Sequence, residues 1–269
     1  DSAGLSKILA DCDILICNSE VTEAEHAVSD NRKNCGQIRK LTKLYNNSAS
    51  SGRLVLISNQ SAAGPSKTNV AKTEDEKETP VSAYGKMKLE MEQIVRSESR
   101  HPWTIIRPAA LYGSGDKHFL HYFRMMYKGI CVSFGTEKRF CLTYIKELAR
   151  SVESAINNPA ASNEVFNTAL GESFSQSELF NRLSAALGKP YIGITLPQEA
   201  IRVVSFAEKL ITLLSGNRYS KANLKDFESN NWRVNTEKAE RVLGFRNQSN
   251  ISRTLLLTYR WYLKHHWLS

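Results

Sequence analysis

The stretch Glu78-Thr-Pro-Val-Ser-Ala-Tyr-Gly-Lys-Met-Lys88 decides how this chain is read. Pro80 closes a loop, and apolar spacing predicts a helix over residues 81–98. Tyr84 and Lys88 stand four apart, so they share one face of that helix. The face continues through Met87, Met91 and Val95 and is otherwise apolar. A lysine is costly there unless it has a partner or a task. A cation beside a phenol favours the phenolate and lowers the tyrosine pKa from its normal value near 10. A phenol so tuned can exchange protons near neutral pH.

Outward from this helix, short apolar runs alternate with helical segments. Asp13-Ile-Leu-Ile-Cys17, Arg53-Leu-Val-Leu-Ile-Ser58, Trp103-Thr-Ile-Ile-Arg107 and Glu164-Val-Phe-Asn167 read as strands. Helices are expected at 25–45, 116–128 and 146–157, a short extended piece at 142–145, and a long loop at 60–80. Strands without polar alternation, separated by helices, indicate a doubly wound parallel sheet covered on both faces, an α/β fold. After Gly171 the pattern becomes helical, at 175–187, 198–215, 235–243 and an aromatic closing helix. Two regions are therefore expected: 1–170, the doubly wound α/β part, and 171–269, a smaller, mainly helical lobe.

Composition narrows the classes. The chain has 269 residues and a net charge of +9. Its apolar and charged fractions are those of an ordinary globular protein, not of a fibrous or disordered one. The five cysteines Cys12, Cys17, Cys35, Cys131 and Cys141 form no C-x-x-C pair, which reads as reduced thiols in a cytoplasmic protein. No metal-ligand cluster is visible among the histidines. The apolar stretch 200–214 contains Arg202, Glu208 and Lys209, too short and too charged to span a bilayer. Arg32, Lys33, Arg39, Lys40 and Lys43 read as a solvated helix face, without the aromatic interleaving of a nucleic-acid binder.

The ordered set of pieces resembles the extended short-chain dehydrogenase/reductase family, the NAD-dependent epimerase/dehydratase type. Ala10 to Cys17 is similar to the family's fourth strand, and Asn34 matches an asparagine of the following helix. Leu54 to Pro65 resembles the fifth strand and its serine-containing turn, and Glu78 to Lys88 the active-site stretch. Ile106-Arg-Pro-Ala-Ala-Leu-Tyr-Gly113 resembles the loop covering the nicotinamide. Phe140 to Ala149 is similar to the family's Tyr-Val-Asp-Asp-Leu-Ala segment. Trp232 to Phe245 resembles an element near the family's C-terminus.

The resemblance implies that 1–170 is a partial Rossmann-like NAD(P)-binding and catalytic domain and 171–269 the substrate-binding lobe. It implies a catalytic set of Tyr84, Lys88, Ser58 and Asn59. It implies NAD or NADP contacts at Tyr84, Lys88, Cys17, Ser19, Asn34, Pro108, Ala110 and Leu111. Tyr84 would exchange the proton at a substrate hydroxyl or carbonyl, and Lys88 would also hold the nicotinamide ribose. The substrate would be a nucleotide-sugar or another secondary alcohol. A homodimer through the Tyr84 helix is implied, with no nucleic acid and no transmembrane segment.

Three positions depart from the pattern. Asn59 takes the usual catalytic serine position, Glu20 replaces a glycine where the cofactor backbone passes, and Lys146 replaces an aspartate. An amide donates a hydrogen bond but does not relay a proton as a hydroxyl does. No G-x-x-G-x-x-G fingerprint is found. The expectation is that the chain enters just before the fourth strand, about two βα units and a strand short, on the order of sixty residues at roughly 30 per unit. These departures predict weakened cofactor binding. They leave open a non-catalytic family member acting as a binding or scaffold protein.

Overall fold

Leu54, Val55 and Leu56 are consecutive and all fully buried, which requires both faces of their strand to be covered. The computed structural model describes residues 2–18, 27–47, 52–67, 69–134, 138–197, 200, 231–245 and 249–268. In chain order its helices are α1 (Ser2–Ala10), α2 (Ala27–Tyr45), α3 (Gln60–Ala63), α4 (Ala83–Glu98), α5 (Leu120–Lys128), α6 (Ile145–Asn157), α7 (Gln176–Leu187), α8 (Glu237–Leu243) and α9 (Ile251–Lys264). Its strands are β1 (Ile14–Asn18), β2 (Arg53–Ile57), β3 (Trp103–Pro108), β4 (Ala110–Tyr112), β5 (Ile130–Phe134), β6 (Arg139–Tyr144), β7 (Glu164–Thr168), β8 (Ser173–Phe174), β9 (Ile192–Leu196) and β10 (Asn231–Trp232).

The four expected strands form one parallel sheet in the order β1-β2-β3-β7. Successive side chains of a strand point to opposite faces, and the sheet sorts them accordingly. Leu54, Leu56 and Ile105 enter a core with Ile38 and Tyr45 of α2 and Met87, Met91 and Val95 of α4. Val55, Ile106 and Phe166 enter a second core with Leu148 and Val152 of α6 and Ala239 and Leu243 of α8. The expected doubly wound parallel arrangement is what the chain adopts.

Several boundaries differ from the expectation. The helix expected at 116–128 starts at Leu120. The Asp116 carboxylate instead accepts from the backbone NH groups of His118 and Phe119, holding a non-helical turn before it. The loop expected at 60–80 opens with α3. Strands β4, β8 and β10, of two or three residues, are too short to carry a readable period, and β5 and β9, five residues each, are not among the expected strands. Strands β8, β9 and β10 accompany the C-terminal helices, and each pairs with a strand from before residue 170: β8 and β10 with β6, β9 with β5. A third core, rich in aromatic side chains, joins Tyr112, Phe123, Tyr144, Phe174, Phe180, Tyr259 and Tyr262 across these elements. The helix expected at 198–215 lies almost wholly outside the described residues.

Candidate active site

The carboxyl ends of β1, β2 and β3 lie at one edge of the sheet. Asn18 is level with Ile57, and Ile57 with Ile106. That edge is where open α/β sheets place ligands. Helix α4 reaches it with its early turns, Lys88 lying at the end of β2. Its start is set by Ser82, whose hydroxyl accepts from the Gly85 NH at 2.9 Å. Gly85 lets α4 lie directly on α3: a Cβ there would sit 2.3 Å from the Ser61 carbonyl oxygen, a backbone atom that cannot swing aside. Gly85→Ala is therefore expected to cost about 1–3 kcal/mol of stability. A denaturant midpoint equal to the parent's would show that the two helices separate freely.

The first two turns of α4 hold the expected pair, Tyr84 and Lys88. Tyr84 is half-buried, and Lys88 is 3% exposed. The Lys88 ammonium lies 5.7 Å from the centre of the Tyr84 ring and donates to the Ile57 carbonyl at 3.4 Å. The costly buried cation thus sits over the end of β2 and beside the phenol. Asn34 of α2 reaches the same helix, with Nδ2 3.6 Å from the Met87 sulfur.

The turn after β2 is used differently from the expectation. The Ser58 hydroxyl donates to Glu92 Oε1 at 2.5 Å, inside the protein. Asn59 is the N-cap of α3, its Oδ1 accepting from the Ser61 NH at 2.9 Å. With its oxygen held by the cap, the Asn59 amide offers its NH₂ group as the remaining donor. Among the other expected cofactor contacts, Cys17 is buried in the α2–α4 core, where burial pushes its thiol up to about 12. Pro108 ends β3 within the sheet, and Ala110 and Leu111 are half-buried on β4. Ser19 and Glu20 lie outside the described residues.

A buried ion network escaped the sequence reading. Glu92 and Arg107 are each 0% exposed and make a bidentate pair, Nε to Oε1 at 2.9 Å and Nη2 to Oε2 at 2.6 Å. Arg107 also reaches Glu78 at 3.0 Å, and Arg96 bridges Glu92 and Glu78. Burial alone would lower the Arg107 guanidinium, but the two carboxylates raise it above its ordinary value. Burial pushes the Glu78 carboxyl up, and donation from Arg107 and Arg96 outweighs that, holding it below the usual carboxylate range. A signal existed: Tyr84, Lys88, Glu92 and Arg96 recur every four residues along one face. Thr143 is a second missed residue. Its buried hydroxyl accepts from the Ala109 NH at 3.0 Å and donates to the Thr168 carbonyl at 2.6 Å, pinning the backbone between Pro108 and Ala110.

The family model described as the RmlD substrate binding domain matches residues 21–187. The UDP-glucose 4-epimerase of Vibrio cholerae is 34% identical over 132 residues, 47% of this chain and 40% of that protein. The match therefore spans about two fifths of that curated relative. Among solved structures, the UDP-glucose 4-epimerase of Thermotoga maritima with UDP-glucose superposes with a TM-score of 0.76 at 18% identity, covering 99% of this chain and 82% of that one. The UDP-glucuronic acid 4-epimerase of Bacillus cereus, in complex with UDP-glucuronic acid and NAD, gives 0.74 at 19% identity, covering 98% and 80%. Among the described residues no helix is long and apolar enough to cross a membrane, and no cluster of His, Cys, Asp and Glu could hold a metal ion.

Proposed function

The chain belongs to the NAD-dependent epimerase/dehydratase family of extended short-chain dehydrogenases/reductases, and from that premise we propose that it carries the acid–base half of a reversible oxidation at a sugar carbinol. The substrate class is a nucleotide-sugar and the cofactor NAD, as in the relatives' names. One observation carries the reading: Lys88, buried at the end of β2, is held 5.7 Å from the Tyr84 ring. A buried ammonium is costly unless it has a partner or a task. On this reading Tyr84, with the Lys88 ammonium over its ring, takes the proton of the sugar hydroxyl and returns it to the carbonyl.

The residues present fit the nicotinamide-ribose end of a dinucleotide. Lys88 and Tyr84 would donate to the ribose hydroxyls, and the backbone pinned by Thr143 would border the ring. When bound, the nicotinamide supplies a reversible hydride acceptor. The Asn59 NH₂ would hold the sugar oxygen where relatives of this family place a hydroxyl, which orients the substrate but moves no proton. Ser58, held on Glu92, positions the β2 turn.

That turn also supports a second reading. With Ser58 turned onto Glu92 and Asn59 capping α3, neither supplies a relay hydroxyl, as suits a member that binds nucleotide-sugars without converting them. The test is interconversion of UDP-hexoses by the full protein with NAD. Turnover that Lys88→Met removes is the expected result. Binding of UDP-hexose with no interconversion at any pH would transfer the chain to the second reading.

A further inference from the structure

We propose that the corner built by α5, the β5–β9 ribbon and α9 is a docking surface for anionic lipid, which places this chain on the face of a membrane. Three segments build that corner: 117–134, 183–197 and 249–268. Together they contain seven Lys and Arg and not one Asp or Glu, against an excess of nine positive charges for the whole chain. The cations are Lys117, Arg124, Lys128, Lys189, Arg253, Arg260 and Lys264. Among the described residues none of them pairs with a carboxylate.

The segments are distant in sequence and joined in space. The Lys189 ammonium lies 4.7 Å from the Tyr127 ring of α5 and 5.8 Å from the Tyr259 ring of α9. Phe123 of α5 packs on Tyr259 and Tyr262. Ile130 is level with Ile192 in the ribbon.

The same corner carries most of the exposed apolar side chains. Of the ten large hydrophobic residues exposed among the described ones, six are here: Tyr127, Ile130, Ile192, Ile194, Leu257 and Leu263. Ile192 is 68% exposed and Ile130 50%. The ribbon has two unlike faces. Cys131 and Ser133 turn into the protein, while Ile130, Ile192 and Ile194 share the outer face. On α9 the spacing 253, 257, 260, 264 puts Arg253, Leu257, Arg260 and Lys264 on one exposed side.

Aliphatic side chains set among unpaired cations complement a surface that offers negative headgroups above an apolar layer. A nucleic acid would meet the cations but has nothing for isoleucine and leucine. A second copy meeting this face with its own would bring like charges together.

The experiment is co-sedimentation of the full chain with vesicles of phosphatidylcholine alone or with phosphatidylglycerol added. Binding only to the anionic vesicles, weakening steeply as salt is raised, is expected. Neutralising three cations in Arg253→Gln/Arg260→Gln/Lys264→Gln should lower the partition coefficient roughly a hundredfold. Ile192→Ser/Ile194→Ser should weaken binding with the salt dependence kept. The equally charged change Lys33→Gln/Lys40→Gln/Lys43→Gln on α2 should leave binding as it is. Unchanged binding by the α9 variant would take this corner out of the contact, and equal loss in the α2 variant would reduce the effect to net charge; either overturns the proposal. Capture on polyglutamate without binding to either vesicle would assign the patch to an acidic protein and overturn it as well.

Discussion

An Arg107→Met chain is expected to lose about 3–5 kcal/mol of stability, the cost of leaving a buried charge without its partner. Arg107 fills a fully enclosed volume between α4 and β3, and its guanidinium supplies two of the four hydrogen bonds received by Glu92. Methionine fills much of the same space and offers no donor. The Glu92 carboxylate would keep only Ser58 and Arg96 in an interior without water. The double change Arg107→Met/Glu92→Met separates charge from packing, because apolar groups of similar volume in place of a buried pair are often neutral or stabilising. Urea unfolding of parent, single and double variants provides the measurement. The expected order places the single variant well below the other two. A single variant within about 1 kcal/mol of the parent would mean that the pair carries little, as exposed pairs do.

Tyr84→Phe is expected to lower kcat on a UDP-hexose by about 10²–10⁴, the usual weight of a positioned acid–base group. The phenyl ring keeps the half-buried packing of Tyr84 against the α2–α4 core, so the fold should be undisturbed. Lys88 keeps its place over the Ile57 carbonyl, so cofactor affinity should change by much less than kcat. Turnover within tenfold of the parent would remove Tyr84 from the proton path and leave Lys88 as a binding residue.

The sequence by itself determined the sheet and the helix that carries Tyr84 and Lys88, because both depend on neighbours close along the chain. Runs such as Leu54-Val-Leu56 can be buried on both faces only in a covered parallel strand. The four-residue spacing of Tyr84 and Lys88 needs no more than helix geometry to bring them together. The rest depended on contacts across the chain. Whether Ser58 faces substrate or interior is decided by Glu92, thirty-four residues later, and by Arg107 beyond it. Asn59 reads as a catalytic position in a row of residues, yet α3 begins there and takes its side-chain oxygen as a cap. Strands β5 and β9, sixty-two residues apart in register, lie off the main sheet and pair with each other as a separate ribbon, a contact that neither segment shows alone. The net charge was visible at once as a single number. Only the tertiary structure gathers its excess on one corner with the exposed isoleucines, because a surface is made from whichever segments the core leaves outside.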